Sequence, residues 1–213
     1  MNGDHSLYVR SMLGPRAADL DGILREALLS RRLIPMQVDD NAARLLQVLT
    51  QLQRPARALE VGTYFGYSAI HIARGLVGGG RLTTVEIDAE VAAVARRNFE
   101  VCGVADRVEL VVADAAEHLK SLETESFGLI FIDGEKRDYP LYLKLCAPLL
   151  TPGGLVIADD AFADANFAHE PDGDEAAAVD GIRKYTRYVC RSPKLFSAFI
   201  GTEHGMVVSR RVA

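Results

Sequence analysis

Two short stretches limit what this chain can fold into more than any others. Ala58-Leu59-Glu60-Val61-Gly62-Thr63-Tyr64-Phe65-Gly66-Tyr67-Ser68 is an apolar run that ends in an acid and a glycine. It passes through a tight Gly-x-x-x-Gly turn and opens a helix at Tyr67-Ser68. One strand later, Leu82-Thr83-Thr84-Val85-Glu86-Ile87-Asp88 is a second apolar run, ending in Glu86. Together they are the sequence form of a βαβ unit with an acid at the tip of its second strand. A carboxylate placed there suits the two hydroxyls of a ribose.

The remainder keeps the same alternation. Strands are expected at 58–61, 82–87, 108–113, 129–133 and 155–159, with helices between them at about 66–77, 89–102, 115–123 and 138–150. Gly103, Gly128 and Pro152-Gly153-Gly154 punctuate the joins. Short apolar strands between helices call for a parallel sheet covered on both faces. Two helical patterns precede the first strand, at 19–33 and 39–53, separated by Pro35 and closed by Pro55. After a polar, acidic, turn-rich loop at 163–174, a helix at 174–188 leads to strands at 194–201 and 206–211. The fold class is therefore α/β: a Rossmann-like, seven-stranded, mostly parallel sheet with a C-terminal antiparallel hairpin, helices on both faces and extra N-terminal helices. One domain is expected over 1–213, with an N-terminal helical region (1–54), a cofactor-binding βα core (55–160) and a substrate loop, helix and closing hairpin (161–213).

Bulk properties exclude several classes. The chain has 213 residues, enough for one full core. A net charge of −5 argues against a broad phosphate-binding surface. Cys102, Cys146 and Cys190 match no zinc spacing and read as reduced thiols in a cytoplasm. No secretory signal and no membrane-length apolar run is visible. The stripe Leu20, Ile23, Leu24, Ala27, Leu28 needs cover, from this chain or from a second copy, so a homodimer is one expectation.

In open α/β sheets, function gathers at the carboxyl ends of the strands. Those ends carry Glu60 and Gly62, Glu86, Asp114-Ala115, Asp133 followed by Lys136, and Asp159-Asp160. Six carboxylates on one sheet edge repel one another unless cations join them. The first turn lacks the Gly-x-Gly-x-x-Gly spacing that lets a backbone hug a pyrophosphate, and Glu60 would repel one. A cationic nucleoside without phosphates, S-adenosylmethionine, fits better. Asp133, Asp159 and Asp160 form a second group. With no histidine or cysteine among them, hard oxygen ligands suit Mg²⁺ first, and Ca²⁺ or Mn²⁺ as well.

These pieces resemble, in order, the small cation-dependent O-methyltransferases that include the catechol and caffeoyl-coenzyme A O-methyltransferases. The similarity runs from Met36-Gln37-Val38 through Glu60–Ser68, Phe131-Ile132-Asp133-Gly134-Glu135-Lys136 and Gly153–Asp160 to the final hairpin. The resemblance implies that Val38 contacts the methionine end of the cofactor through its backbone, with Glu60, Gly62, Tyr64 and Ser68 lining the same end. Glu86 would hold the ribose, and Asp114 and Ala115 would border the adenine. Asp133, Asp159 and Asp160 would bind the metal, with Asp133 also near the cofactor, and Lys136 would be the general base. Two positions depart from the family pattern. Asp160 replaces the usual Asn, which implies either a tighter metal site or a carboxylate rotated away. Gly134 replaces a bulkier residue, which implies a wider pocket.

The expected activity is methyl transfer to a hydroxyl of a small catechol-like or phenolic molecule. A second expectation is a methyltransferase for 5-hydroxyuridine at the tRNA wobble position, which the acidic balance disfavours. A third is a nucleoside-binding module without catalysis, against which Lys136 and the aspartates argue. Blander readings stand beside the individual residues. Strand-end acids and Lys136 can be solvated, Tyr64 and Tyr67 can be packing residues, and His71 fits a structural role inside its helix. His118, His169 and His204 read as surface residues, and Arg96-Arg97 and Arg210-Arg211 as solvated charges.

Overall fold

The computed structural model describes residues 3–29, 36–162 and 173–212. The elements follow the chain as α1 (Gly3–Met12), α2 (Ala18–Leu29), α3 (Asp40–Gln53), β1 (Arg57–Val61), α4 (Tyr67–Gly75), β2 (Arg81–Glu86), α5 (Ala89–Val101) and β3 (Val108–Val112). There follow α6 (Ala115–Leu119), β4 (Phe127–Ile132), α7 (Tyr139–Cys146), β5 (Leu150–Ala158), α8 (Gly173–Arg191), β6 (Leu195–Ile200) and β7 (Met206–Arg211). They form one seven-stranded sheet in the order β3-β2-β1-β4-β5-β7-β6. The first five strands are parallel, and β7 pairs antiparallel with both β5 and β6. The chain reverses its direction of sheet growth between β1 and β4, which opens a crevice at their carboxyl ends.

Both faces of the sheet are covered. On one, Leu46 of α3, Ile70 and Ile72 of α4, and Phe99 of α5 pack under Ala58, Leu82 and Leu129. On the other, Tyr139, Leu143 and Cys146 of α7 and Ile182, Tyr185 and Val189 of α8 pack against Leu59, Ile130 and Val156. Aspartates set where helices begin. Asp39 caps α3 by accepting from the amides of Asn41 and Ala42 at 2.8 and 3.0 Å, and Asp88 caps α5 in the same way. Each such cap satisfies amides that a helix start leaves unpaired.

Several expected boundaries move, for local reasons. Strand β5 starts at Leu150 rather than 155. Its register with β4 breaks between Phe127 and Leu129, so the Pro152-Gly153-Gly154 stretch is a bulge inside the strand and not a join. Helix α7 stops at Cys146 and passes into a 3₁₀ turn over Ala147–Leu149, since Pro148 has no amide to continue it. Helix α6 ends at Leu119, and the chain closes with turn bonds from Ser121 and Leu122. Helix α1 was not anticipated. Its Leu7, Tyr8 and Met12 are exposed, so it carries no buried apolar stripe to read. The apolar stripe of α2 is covered by this chain itself, because Leu20, Ile23, Leu24 and Ala27 are buried with α3 and α4. A second copy is not needed to cover them. Residues 30–33 and 163–172, which hold the end of the expected first helix, most of the loop and His169, lie outside the described residues.

Candidate active site

The glycine turn is locked between its neighbours before any ligand is considered. The Gly62 amide donates to the Val85 carbonyl, and the Asp133 amide to the Val61 carbonyl. Gly62 sits at φ +93°, and a Cβ there would overlap the backbone carbonyl of Asp133. Only glycine allows this turn to lie directly on the end of β4. Gly66, at φ +94°, opens α4, and a Cβ there would strike the Phe99 ring of α5.

Glu60 lies within β1, opposite Thr84 of β2, and is fully buried. Its Oε2 accepts from Thr84 Oγ1 at 2.5 Å, while Oε1 is buried with no partner. Burial raises its pKa from 4.5 to about 8; the Thr84 and Ser68 hydroxyls work against the rise, and the nearby Asp133 and Glu86 charges add to it. Burial thus favours the neutral, protonated form of Glu60. A buried carboxyl with a spare oxygen at the edge of a crevice fits a cationic donor group. Glu86 has the opposite character. Its Oε2 accepts from the Tyr64 amide at 2.8 Å, and its Oε1 from the Ile87 and Asp88 amides at 3.0 and 3.1 Å. Three backbone donors hold this half-buried carboxylate in place and leave lone pairs for further hydroxyl donors. Tyr64 reaches this position with φ +50°.

Beyond the turn, carboxylate oxygens of Asp133, Asp159 and Asp160 all lie within 4.8 Å of one another. Asp159 is 4% exposed, and its Oδ1 has no partner. Burial, with the Asp133 and Asp160 charges, raises its pKa well above the usual carboxylate value. The Asp133 pKa is also raised, chiefly by burial. An orphaned, buried oxygen beside two further carboxylates fits a hard divalent cation. Asp160 is not rotated away. Its φ of +54° is a left-handed conformation that Asn and Asp tolerate best among residues other than glycine.

Lys136 stands among these acids. Its Nζ is 2.6 Å from Asp133 Oδ1 and 2.7 Å from Asp160 Oδ2, and it donates to the Tyr139 hydroxyl at 3.0 Å. Burial opposes its charge, but Asp133, Tyr139 and Asp160 outweigh burial and raise its pKa well above the ordinary lysine value. In this state Lys136 is firmly an ammonium ion.

The remaining expected residues are less central. Val38 is buried at the wall of a cavity of about 570 Å³, between α1, residues 37–40 and the β6–β7 turn. Ser68 is buried at the start of α4. Asp114 is exposed and caps α6 by accepting from the Glu117 amide at 2.9 Å, with Ala115 beginning that helix, so Asp114 stands apart from the central acids. A Cβ at Gly134 would meet Tyr142 and Val61, so the small residue there relieves packing behind β4 and does not widen a pocket.

Two residues here were not assigned to the site from sequence, and His204 was read only as the surface residue that it also is. Tyr139 holds Lys136, and its three-residue spacing from that lysine in a helix-opening turn was the available clue. His204, on the β6–β7 turn, lines the same cavity as Val38 and places Nδ1 3.8 Å from Asp160 Oδ1. Nothing local in the sequence connects it to that acid.

Comparison with known proteins now applies to this geometry. A family model described as O-methyltransferase matches residues 18–212. The chain belongs to the O-methyltransferase family. This methyltransferase is 36% identical over 153 residues to a catechol O-methyltransferase of Niastella koreensis, an alignment covering 70% of this chain and 68% of that protein. It is 35% identical over 142 residues to a catechol O-methyltransferase of Mycobacterium tuberculosis, covering 67% of this chain and 64% of the relative. Its fold matches the O-methyltransferase from Bacillus cereus in complex with SAH, with a TM-score of 0.85, 28% identity and coverage of 98% and 97%. It also matches the O-methyltransferase TomG from Streptomyces achromogenes in complex with SAM, with a TM-score of 0.84, 28% identity and full coverage of both chains. Among the described residues, no helix is long and apolar enough to cross a membrane.

Proposed function

We propose that this methyltransferase methylates one hydroxyl of a catechol-like phenol with the help of a divalent cation, Mg²⁺ first among the candidates. The observation that carries the reading is the close group of Asp133, Asp159 and Asp160, with one buried oxygen unpartnered and Lys136 Nζ against two of the acids. The catechol O-methyltransferases among its relatives support the acceptor class. Asp133, Asp159 and Asp160 would hold the cation. When bound, it would accept two acceptor oxygens and lower the pKa of a hydroxyl.

The chain's own residues do the rest. Glu86 holds the ribose end of the donor, and Glu60, Gly62, Tyr64 and Ser68 line its methionine end, together with the backbone of Val38. Asp114 and Ala115 border the adenine. Lys136 takes the proton of the acceptor hydroxyl. It can do so only when Asp133 and Asp160, which now hold its own proton in place, are neutralised by another positive charge. Alignment of oxygen, methyl carbon and sulfur in a water-poor crevice supplies much of the acceleration. The three free cysteines support a cytoplasmic setting.

The test is turnover of 1,2-dihydroxybenzene with S-adenosylmethionine and Mg²⁺, with and without chelator. Wild type is expected to be active and chelator-sensitive, and Asp159→Asn and Lys136→Ala to lose turnover while still binding the donor. Chelator-insensitive turnover, or full activity in Asp159→Asn, would end the metal reading. Methylation of a 5-hydroxyuridine tRNA in place of the phenol would replace the acceptor class.

A further inference from the structure

Helix α8 lies far along the chain from Lys136, yet it touches the lysine's turn at a point where side chains are not tolerated. Gly181 has ordinary helical backbone and needs no special φ. Helix propensity alone favours alanine there by about 1 kcal/mol. What glycine provides is space. A Cβ at Gly181 would overlap the carbonyl oxygen of Lys136 and lie 2.9 Å from Arg137 Cα and 3.0 Å from Arg137 O. All three are backbone atoms, so nothing flexible can give way.

One helical turn further along, on the same face, Tyr185 is fully buried. Its ring meets the Tyr139 ring edge-on, with centroids 5.6 Å apart. The Tyr139 hydroxyl accepts from Lys136 Nζ at 3.0 Å and lies 3.3 and 3.4 Å from the Ile132 and Asp159 carbonyl oxygens, at the ends of β4 and β5. The i, i+4 pair of α8 therefore bears on Lys136 twice, through its backbone at Gly181 and through its ammonium group by way of Tyr185 and Tyr139.

We infer that Gly181 is a positioning residue for Lys136, and that α8 acts with Tyr139 as a two-point clamp on that lysine. This rests on the reading of Lys136 as the base. A base must be held within a fraction of an ångström of the proton it takes, and rigid supporting contacts are how folds achieve that. The register of α8 is then part of the active-site geometry.

The experiment compares Gly181→Ala, Tyr139→Phe and Val189→Ala, with Lys136→Ala alone and combined with Gly181→Ala. Turnover of 1,2-dihydroxybenzene, donor affinity by calorimetry, melting temperature and amide exchange over residues 136–139 are measured. Val189 is buried on the same helix, away from the lysine, and serves as the control for stability alone. Gly181→Ala is expected to lower kcat at least about tenfold with donor affinity unchanged and faster exchange at 136–139. Val189→Ala should lower the melting temperature and leave kcat and that exchange at wild-type levels. Tyr139→Phe, which keeps the ring on Tyr185, should also lower kcat, and it decides the matter if Gly181→Ala does not fold. In the Lys136→Ala background, Gly181→Ala should cause no further loss, as expected for residues acting as one unit. If Lys136→Ala is inactive but Gly181→Ala and Tyr139→Phe keep wild-type kcat, only this inference falls. If Lys136→Ala itself keeps wild-type turnover, the base reading falls and the clamp with it.

Discussion

Glu60→Gln tests how the site stores its charge. The glutamine is a close mimic of the protonated acid. Its carbonyl oxygen can accept from Thr84 Oγ1, and its donor falls where Oε1 now has no partner. Wild-type Glu60 is raised from 4.5 to about 8 in the folded chain, principally by burial. At about 1.4 kcal/mol per tenfold change in proton affinity, that difference amounts to about 5 kcal/mol as an upper figure. The sign follows from linkage. The folded state keeps its proton after the unfolded chain has released it, so the stability that Glu60 contributes is fully present below pH 4.5. It is lost as pH rises to about 8 and constant beyond.

Ligand-free Glu60→Gln is therefore expected to gain on wild type by about 1.4 kcal/mol per pH unit across that window. At about 2–4 °C per kcal/mol for a chain of this size, the melting curves should separate by roughly 10–20 °C at the alkaline end. Donor binding should show the complement. A cationic ligand favours ionised Glu60, so wild type should release up to one proton on binding S-adenosylmethionine between pH 6 and 7.5. This lies below the range of about 7.7–8.0 where an α-amino group titrates. Calorimetry in buffers of different ionisation enthalpy reads that proton directly. Parallel stability curves for the two proteins, or equal proton release from both, would refute the account of Glu60 as a proton-holding counterpart of the donor's charge.

Two further substitutions test the scaffold. Gly62→Ala places a Cβ on the Asp133 backbone at φ +93°, and should cost about 2–3 kcal/mol and weaken donor binding; an unchanged melting temperature would show that the turn is not seated on β4 as described. Asp39→Ala removes the cap of α3 and the Oδ2 that accepts from the Glu203 amide at 2.8 Å, and should lower stability in urea by about 1–2 kcal/mol; unchanged stability would show that neither bond matters.

The parallel core was legible because each strand is an apolar run closed by an acid, a glycine or an Asp cap, features that act within a few residues. Helix α1 was not, because it has only four apolar residues, Leu7, Tyr8, Val9 and Met12, three of them exposed, too few to mark a buried face. The early start of β5 was hidden by Pro152-Gly153-Gly154, which locally reads as a turn. Only pairing with β4 on both sides of the bulge makes it strand. The site divided in the same way. Acids at strand ends could be placed from order alone, whereas His204 beside Asp160, and Gly181 against Lys136, depend on how distant elements pack.

Order along the chain also could not say how those acids are balanced, and the structure answers differently for each. Glu60 keeps a proton, Glu86 is held by three backbone amides, and Asp133 and Asp160 share the Lys136 ammonium. Asp114 is set in a helix cap at the exposed edge. Asp159 keeps an orphaned oxygen beside Asp133 and Asp160, and burial together with those charges raises its proton affinity. The two unsatisfied carboxylate oxygens among the described residues, Glu60 Oε1 and Asp159 Oδ1, thus lie in the two groups of acids on either side of the Gly62 turn, where Gly62 rests on Asp133. A cationic donor against the first and a divalent cation against the second would answer both deficits. The substitutions Glu60→Gln and Asp159→Asn separate them, because the first should change donor linkage with metal dependence intact and the second the reverse.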